Sequence, residues 1–257
     1  MNDLSDELEV AKAIAGQAGE IMLEFFNDDQ KVERKSDDSP VTIADTRINS
    51  MVIEELKKAF PKDDVIGEEE SRGGYGLGRK WFCDPIDGTK AYTWGVPTAM
   101  FSLGFAIDGV PMVGVAYDPF LDKLYAGIKH GGSTCNGQKL KVSADSIEAG
   151  SVAITARVEL IAAGLKYVER LQKRGVRLVS FSGCVYKASL IAKGKLAGYI
   201  AAGVSAYDVA AIHVIVEEAG GKVTGLDGQP IDYTRPFKDA LISNGTIHKD
   251  LLEACAT

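Results

Sequence analysis

Apolar positions in the opening segment recur at helical spacing. Leu8, Ala11, Ala15, Ala18, Met22 and Phe25 fall on one stripe and predict an amphipathic helix. The polar stretch from Asp28 to Pro40 reads as a loop or short hairpin. A second helix is expected after Asp45, with Ile48, Val52, Leu56 and Ala59 on one face and Pro61 just past its end.

The period then shortens. Val65-Ile66-Gly67 reads as a short strand running into Glu68, Glu69 and Glu70. Arg72 to Gly78 is glycine-rich and reads as a mobile loop. Trp81-Phe82-Cys83 predicts a strand that stops at Asp84-Pro85. Ser102 to Ile107 and Val110 to Tyr117 are apolar runs of β character, and Asp108-Gly109 between them is a strong signal for a tight hairpin. Leu121 to Ile128 adds a third strand after the turn at Asp118-Pro119.

Beyond residue 150 strand and helix alternate. Val152–Thr155, Val176–Val179, Tyr199–Ala201, Lys222–Thr224 and Ala240–Ile242 read as strands. Helices are expected through Val158, Ile161, Leu165, Val168 and Leu171, over Val185–Ala192, and from about Asp208 to Ala219, closed by Gly220-Gly221. A last helix carries Leu251 and Leu252. The alternation implies sheets covered by helices. The composition shifts near residue 150, which divides one compact unit into an N-terminal α+β half, 1–150, and a C-terminal α/β half, 151–257.

Bulk composition narrows the function. The chain has 257 residues, 46% hydrophobic and 25% charged, an ordinary globular balance. Its net charge of -7 argues against holding nucleic acid on a broad basic surface, but not against a small anionic substrate carried with cations. There is no apolar run long enough for a membrane span and no basic-then-apolar leader, so a cytoplasmic protein is expected. Cys83, Cys135, Cys184 and Cys255 are scattered without a C-x-x-C pair and read as reduced thiols. His130, His213 and His248 lie far apart and suggest no zinc site.

Acidic residues directly follow the apolar strands. Glu68-Glu69 follow Val65-Ile66, Asp84 and Asp87 follow Trp81-Phe82-Cys83, and Asp208 stands at a helix start. Strand ends in α/β sheets are where ligands bind. If these carboxylates converge they repel by ~4 kcal/mol per pair at ~4 Å and an effective dielectric of ~20, so the cluster needs cations. Oxygen ligands without histidine or cysteine point to Mg²⁺, with Mn²⁺ as the other choice. Taken singly, each acid also reads as a turn or cap residue, Asp208 as an N-cap and Glu68 to Glu70 as a solvated run.

The strings themselves shift that balance. Asp84-Pro85-Ile86-Asp87-Gly88-Thr89, with Gly67-Glu68-Glu69 upstream and Tyr207-Asp208-Val209-Ala210-Ala211 downstream, resembles the inositol monophosphatase family of the lithium-sensitive, fructose-bisphosphatase-like superfamily. The likeness extends to Val41-Thr42-Ile43-Ala44-Asp45, Cys135-Asn136-Gly137-Gln138-Lys139-Leu140 and Glu217-Glu218-Ala219-Gly220-Gly221. The string from Asp84 to Thr89 is specific, whereas a lone Gly-Glu-Glu is weak.

The resemblance implies a layered αβαβα sandwich and a magnesium-dependent phosphatase acting on inositol, polyol or sugar phosphates. It implies two or three Mg²⁺ per site. Glu68, Asp84 and the carbonyl of Ile86 would hold one, Asp84 would bridge to a second completed by Asp87 and Asp208, and Asp45 would orient water near a third. Gly88 and Thr89 would open a short helix whose N–H groups receive the phosphate. Glu68, with Thr89 and Asp45, would orient the metal-activated water for in-line attack, and Asp87 would stand near the leaving group. Members are often homodimers. Cys184 and Lys187 are expected on the substrate side. For Lys187 a surface-exposed helix lysine is the plainer reading, and for Cys184 a small residue at the core edge.

Relatives that hydrolyse inositol 1-phosphate usually carry a glutamate shortly before the last metal aspartate. Here that stretch, Ile200 to Ala206, holds no acid, position 201 is Ala201, and Tyr207 replaces the usual tryptophan. Histidinol phosphate and 3′-phosphoadenosine 5′-phosphate are therefore alternative substrates. An inactive metal-binding regulatory relative is a remoter alternative. A dinucleotide-binding oxidoreductase is disfavoured, because Gly73-Gly74-Tyr75-Gly76-Leu77-Gly78 lacks the G-x-G-x-x-G spacing.

Overall fold

The computed structural model describes residues 4–26, 33–34, 40–154 and 166–256. Helix α1 spans Ser5–Phe25 and helix α2 Ile43–Ala59. The second helix starts two residues before Asp45, because Thr42 is its N-cap and Asp45 closes the capping box as its third residue. Of the polar stretch before it, β1 (Glu33–Arg34) and β2 (Pro40–Val41) pair antiparallel, and the intervening residues lie outside the described ones.

A seven-stranded sheet follows: β3 (Asp64–Gly67), β4 (Arg79–Asp87), β5 (Met100–Ile107), β6 (Val110–Asp118), β7 (Lys123–Ile128), β8 (Gly132–Cys135) and β9 (Gln138–Lys139), in that spatial order. Within this sheet only the β3–β4 pair is parallel. The expected hairpin is present, with Asp108 and Gly109 both at positive φ as a tight two-residue turn requires. The strand carrying Trp81 does not stop at Asp84-Pro85. It runs on to Asp87, because Pro85 sits in a bulge, where a missing N–H costs no ladder bond. The strand expected from Leu121 begins only at Lys123, behind a turn with Asp122 at φ 49°. Strands β8 and β9 were not expected at all.

The second sheet holds β10 (Ser151–Ile154), β11 (Arg177–Val179), β12 (Gly198–Ala202), β13 (Lys222–Thr224) and β14 (Asp239–Ser243), ordered β11-β10-β12-β14-β13. Between its strands run α4 (Lys166–Lys173), α5 (Cys184–Ala192) and α6 (Ala206–Glu218), and α7 (His248–Cys255) ends the described chain. The short helix α3 (Thr89–Thr93) lies between β4 and β5. Helix α4 carries Val168 and Leu171 of the expected helix, while Val158, Ile161, Leu165 and the strand's Thr155 lie outside the described residues.

Apolar clusters join the five structural layers. The outer face of the first sheet, with Trp81, Phe101, Leu103, Phe105 and Val115, packs on α1 and α2 through Ala11, Ile14, Ile48 and Val52. The middle layer joins Met100, Ala116 and Tyr125 of that sheet to α5 and α6 and to Tyr199, Ala201, Ala240 and Ile242 of the second sheet. The next residues along the same strands, Ile200 and Leu241, point the other way, onto Leu171 of α4 and Leu251 of α7. This period of two is what sandwiches a sheet between helices. The result is the expected αβαβα sandwich.

Candidate active site

Asp84 and Asp87 are three residues apart on one strand, so in a regular strand they would face opposite sides. The bulge changes that. Asp84 pairs with Ser102 and Asp87 with Met100, three residues of β4 against two of β5, and both carboxylates come out on the inner face. Ser102 on that face donates to the carbonyl of Tyr207, the residue before Asp208.

Asp208 arrives on α6, and glycines let this helix come close. Gly104, Gly114 and Gly127 are cross-strand neighbours on β5, β6 and β7. A Cβ on Gly104 would stand 2.6 Å from Ala210 Cβ, one on Gly114 2.1 Å from the Ala211 carbonyl, and one on Gly127 3.2 Å from Ile215 Cα. The helix backbone thus rests almost directly on the sheet. Its start lies at Ser205, the N-cap, and not at Asp208, which is the third helical residue and accepts the Ser205 N–H at 2.5 Å. Among the described residues, one carboxylate oxygen from each of Asp84, Asp87 and Asp208 lies within 4.8 Å of the others.

The three acids are compensated unequally. Asp84 is buried and accepts the Ile86 N–H at 3.1 Å. Burial pushes its carboxyl well above the ordinary range, and the charges of Glu68, Asp87, Asp208 and Asp45 push the same way. Asp87 is also raised by burial, but the Cys184 and Val185 N–H groups, each 2.8 Å from one of its oxygens, and the Lys187 ammonium draw it back. These are the opening amides of α5, whose N-terminal dipole favours an anion. Gly183 makes the clamp possible: it has φ 85°, and a Cβ there would lie 2.9 Å from Asp87 Oδ2.

Asp45 closes the other side. Its Oδ2 accepts from the Thr42 N–H at 2.8 Å and hydroxyl at 2.6 Å, and its Oδ1 lies 3.4 Å from Thr89 Oγ1. Burial raises this carboxyl to about 7, with Glu68 and Glu69 adding to it. The Thr89 hydroxyl donates to the Ile86 carbonyl at 2.9 Å. Gly88, at φ 90°, caps α3. Glu68 follows β3, with its N–H on the Cys83 carbonyl, and its charge is felt at Asp84 and Asp45 although it stands outside the tight trio.

The donor set is all oxygen. His248 is engaged with Thr224 and Ser243, and His213 with Tyr233 and Glu217, and neither joins the trio. Buried carboxylates that raise one another's pKa, with no nitrogen or sulfur ligand, fit a hard divalent cation.

Lys187 corrects the expectation of an exposed lysine. It is 4% exposed, with Nζ donating to the Phe181 carbonyl at 2.8 Å and lying 4.7 Å from the Tyr199 ring centroid. Cys184 is buried, its N–H is taken by Asp87, and burial pushes its thiol well up. Ala201 is fully buried in β12. Sequence reasoning missed Tyr75, a half-buried ring 6.2 Å from Phe82 whose hydroxyl is raised by burial and by Asp208. It also missed the Gly183 clamp. A glycine directly before an apolar helix was the available signal.

The model for the inositol monophosphatase family matches residues 3–256. Bovine inositol monophosphatase 1 is 32% identical over 238 residues, covering 88% of this chain and 85% of its own. A histidinol-phosphatase of Chlorobaculum parvum is 32% identical over 220 residues, 85% of each chain. The solved inositol monophosphatase of an Anabaena (Nostoc) species superposes with a TM-score of 0.84 at 30% identity, covering 98% of this chain and 96% of that one.

Proposed function

This chain belongs to the inositol monophosphatase family, and we propose that it is a magnesium-dependent phosphatase of small phosphate monoesters of the inositol, polyol or sugar kind. The observation that carries the metal part is the convergence of Asp84, Asp87 and Asp208. Glu68, Asp84, Asp87, Asp208 and the Ile86 carbonyl would hold two ions, with a third beside Asp45. When bound, these cations supply positive charge to the phosphate oxygens and acidify the water that attacks phosphorus.

The chain's own groups do the rest. The N–H groups of Gly88 and Thr89 receive phosphate oxygens, at a position where a side chain on residue 88 would intrude. Thr89, between Asp45 and the Ile86 carbonyl, orients the attacking water together with Asp45 and Glu68. Asp87, held at both oxygens by α5, does not turn as charge develops on the leaving oxygen. A homodimer and lithium inhibition belong to the same reading and rest on the family resemblance, and a cytoplasmic location is in keeping with four cysteines that are all free thiols.

A second reading concerns the leaving group. Ala201 offers no acid to grip a hydroxyl, and one relative is a histidinol-phosphatase. Histidinol phosphate or 3′-phosphoadenosine 5′-phosphate would then be the better ester. Phosphate release from these two, inositol 1-phosphate, fructose 1,6-bisphosphate and glycerol 2-phosphate, each with magnesium, with EDTA, and with magnesium plus lithium, decides. Magnesium-dependent release dominated by one ester is expected. Release untouched by EDTA would defeat the metal reading.

A further inference from the structure

A buried ammonium needs a reason, because removing it from water is costly. Lys187 spends its hydrogen bond on the carbonyl of Phe181, and its ammonium lies 5.7 Å from the Phe181 ring centroid. The same ring packs edge-on to Tyr186 at 6.0 Å. Two residues on, Gly183 is pressed against Asp87 and the Thr98 carbonyl. The segment is therefore held at both ends, and Ser182 lies between the two clamps.

Ser182 lies against Gly88 at the edge of the site. A Cβ built on Gly88 would come 3.3 Å from Ser182 Oγ, nearer to it than to any other atom. Residue 88 is a glycine, so the hydroxyl packs directly beside the backbone that follows Asp87. Ser182 is half-buried, and its hydroxyl has no protein hydrogen-bond partner among the described residues. A preorganised hydroxyl without a partner, beside carboxylates that draw cations, suits an oxygen-rich anion.

We propose that Ser182 is a substrate-positioning residue whose hydroxyl donates to an oxygen of the phosphate received at Gly88 and Thr89, and that Lys187 serves by holding the Phe181–Gly183 segment in place. This rests on the phosphatase reading above. It gives Lys187 a role as a support, in place of a contact with the ester.

The test is inorganic phosphate binding to the magnesium-loaded protein, measured by titration calorimetry and thus independent of which ester is hydrolysed. Ser182→Ala should weaken phosphate about tenfold, the loss of one hydrogen bond to an anion. Its melting temperature and magnesium half-saturation should match wild type, and Ser182→Thr should restore most of the affinity. Lys187→Met should weaken phosphate too, and adding Ser182→Ala to it should cost little more, since both act through one hydroxyl. Equal phosphate affinity in wild type and Ser182→Ala overturns the proposal. So does a change in magnesium half-saturation without a change in phosphate binding. A wild type that binds phosphate yet releases none from any ester would sink the phosphatase reading and leave the Ser182 result standing. A wild type that binds no phosphate overturns the Ser182 proposal, while ester hydrolysis alone decides the phosphatase reading.

Discussion

Asp87 accepts the opening amides of a helix at both oxygens, while Asp84 accepts one neighbouring N–H. Asp84 is thus the acid whose charge the protein compensates least, and the one that gains most from a cation. Asp84→Asn keeps the shape and removes that charge. Turnover should fall at least about a hundredfold, the order expected when a metal site is disrupted. The metal-free protein should melt higher than wild type, because the repulsion from Glu68, Asp87 and Asp208 is relieved. Magnesium should then raise its melting temperature less than it raises that of wild type. Near-wild-type turnover, or an unchanged magnesium response, would show that Asp84 does not hold the metal. The identity of these acids was legible in the string Asp84–Thr89. Their unequal compensation was not, because it depends on amides of residues 184 and 185, almost a hundred positions away.

Elements aim the side chains. Asp45 and Asp208 occupy the same place in two helices, third residue of a capping box opened by Thr42 and Ser205. In each, one carboxylate oxygen is tied to the cap's backbone, so the helix start orients the acid. Both boxes can be read in the chain, yet acids near a helix start are easily taken for the cap itself, which displaces the boundary by three residues. The glycine track under α6 is more demanding. Gly114→Ala would drive a methyl into the Ala211 carbonyl. Denaturant unfolding should show a loss of about 1–3 kcal/mol, typical of overpacking. Because Asp208 rides on this helix, magnesium half-saturation should rise in the folded variant. Unchanged stability would mean that the helix does not need the close approach. The glycines are visible in the sequence, but their alignment into one row requires the register of three strands.

At the scale of the whole molecule the site joins two sheets, since Asp84 and Asp87 leave the first and Asp208 comes with the segment between strands of the second. The outer layer is tied by His248 of α7, which lies 2.9 Å from Thr224 Oγ1 of β13 and 2.8 Å from Ser243 Oγ of β14. Burial, reinforced by Lys222, lowers this imidazole from 6.5 to about 4. A depressed histidine stays neutral in the fold while the unfolded chain takes up a proton. Its contribution is therefore complete above pH 6.5 and is lost as pH falls towards 4, by about 3 kcal/mol at most. Unfolding free energies of wild type and His248→Asn, measured across that window, should converge as pH falls. Parallel curves would place the titration elsewhere. Comparing the two proteins cancels the carboxylates, which titrate in both.

The sequence by itself determined the period of each long element, the Asp108-Gly109 hairpin, the layered class and the family. These depend on neighbours a few residues apart or on strings read directly. It also marked Glu68, Asp84, Asp87 and Asp208 as the acids to watch. Only the tertiary structure decided which of them meet. The bulge at Pro85 turns Asp84 and Asp87 to one face, the glycine row admits α6, and the clamp at Gly183 fixes Asp87. It also buried Lys187, which local pattern assigned to solvent. The reason is common to all of these: register, close approach and burial are set by partners distant in sequence, and a local window does not contain them.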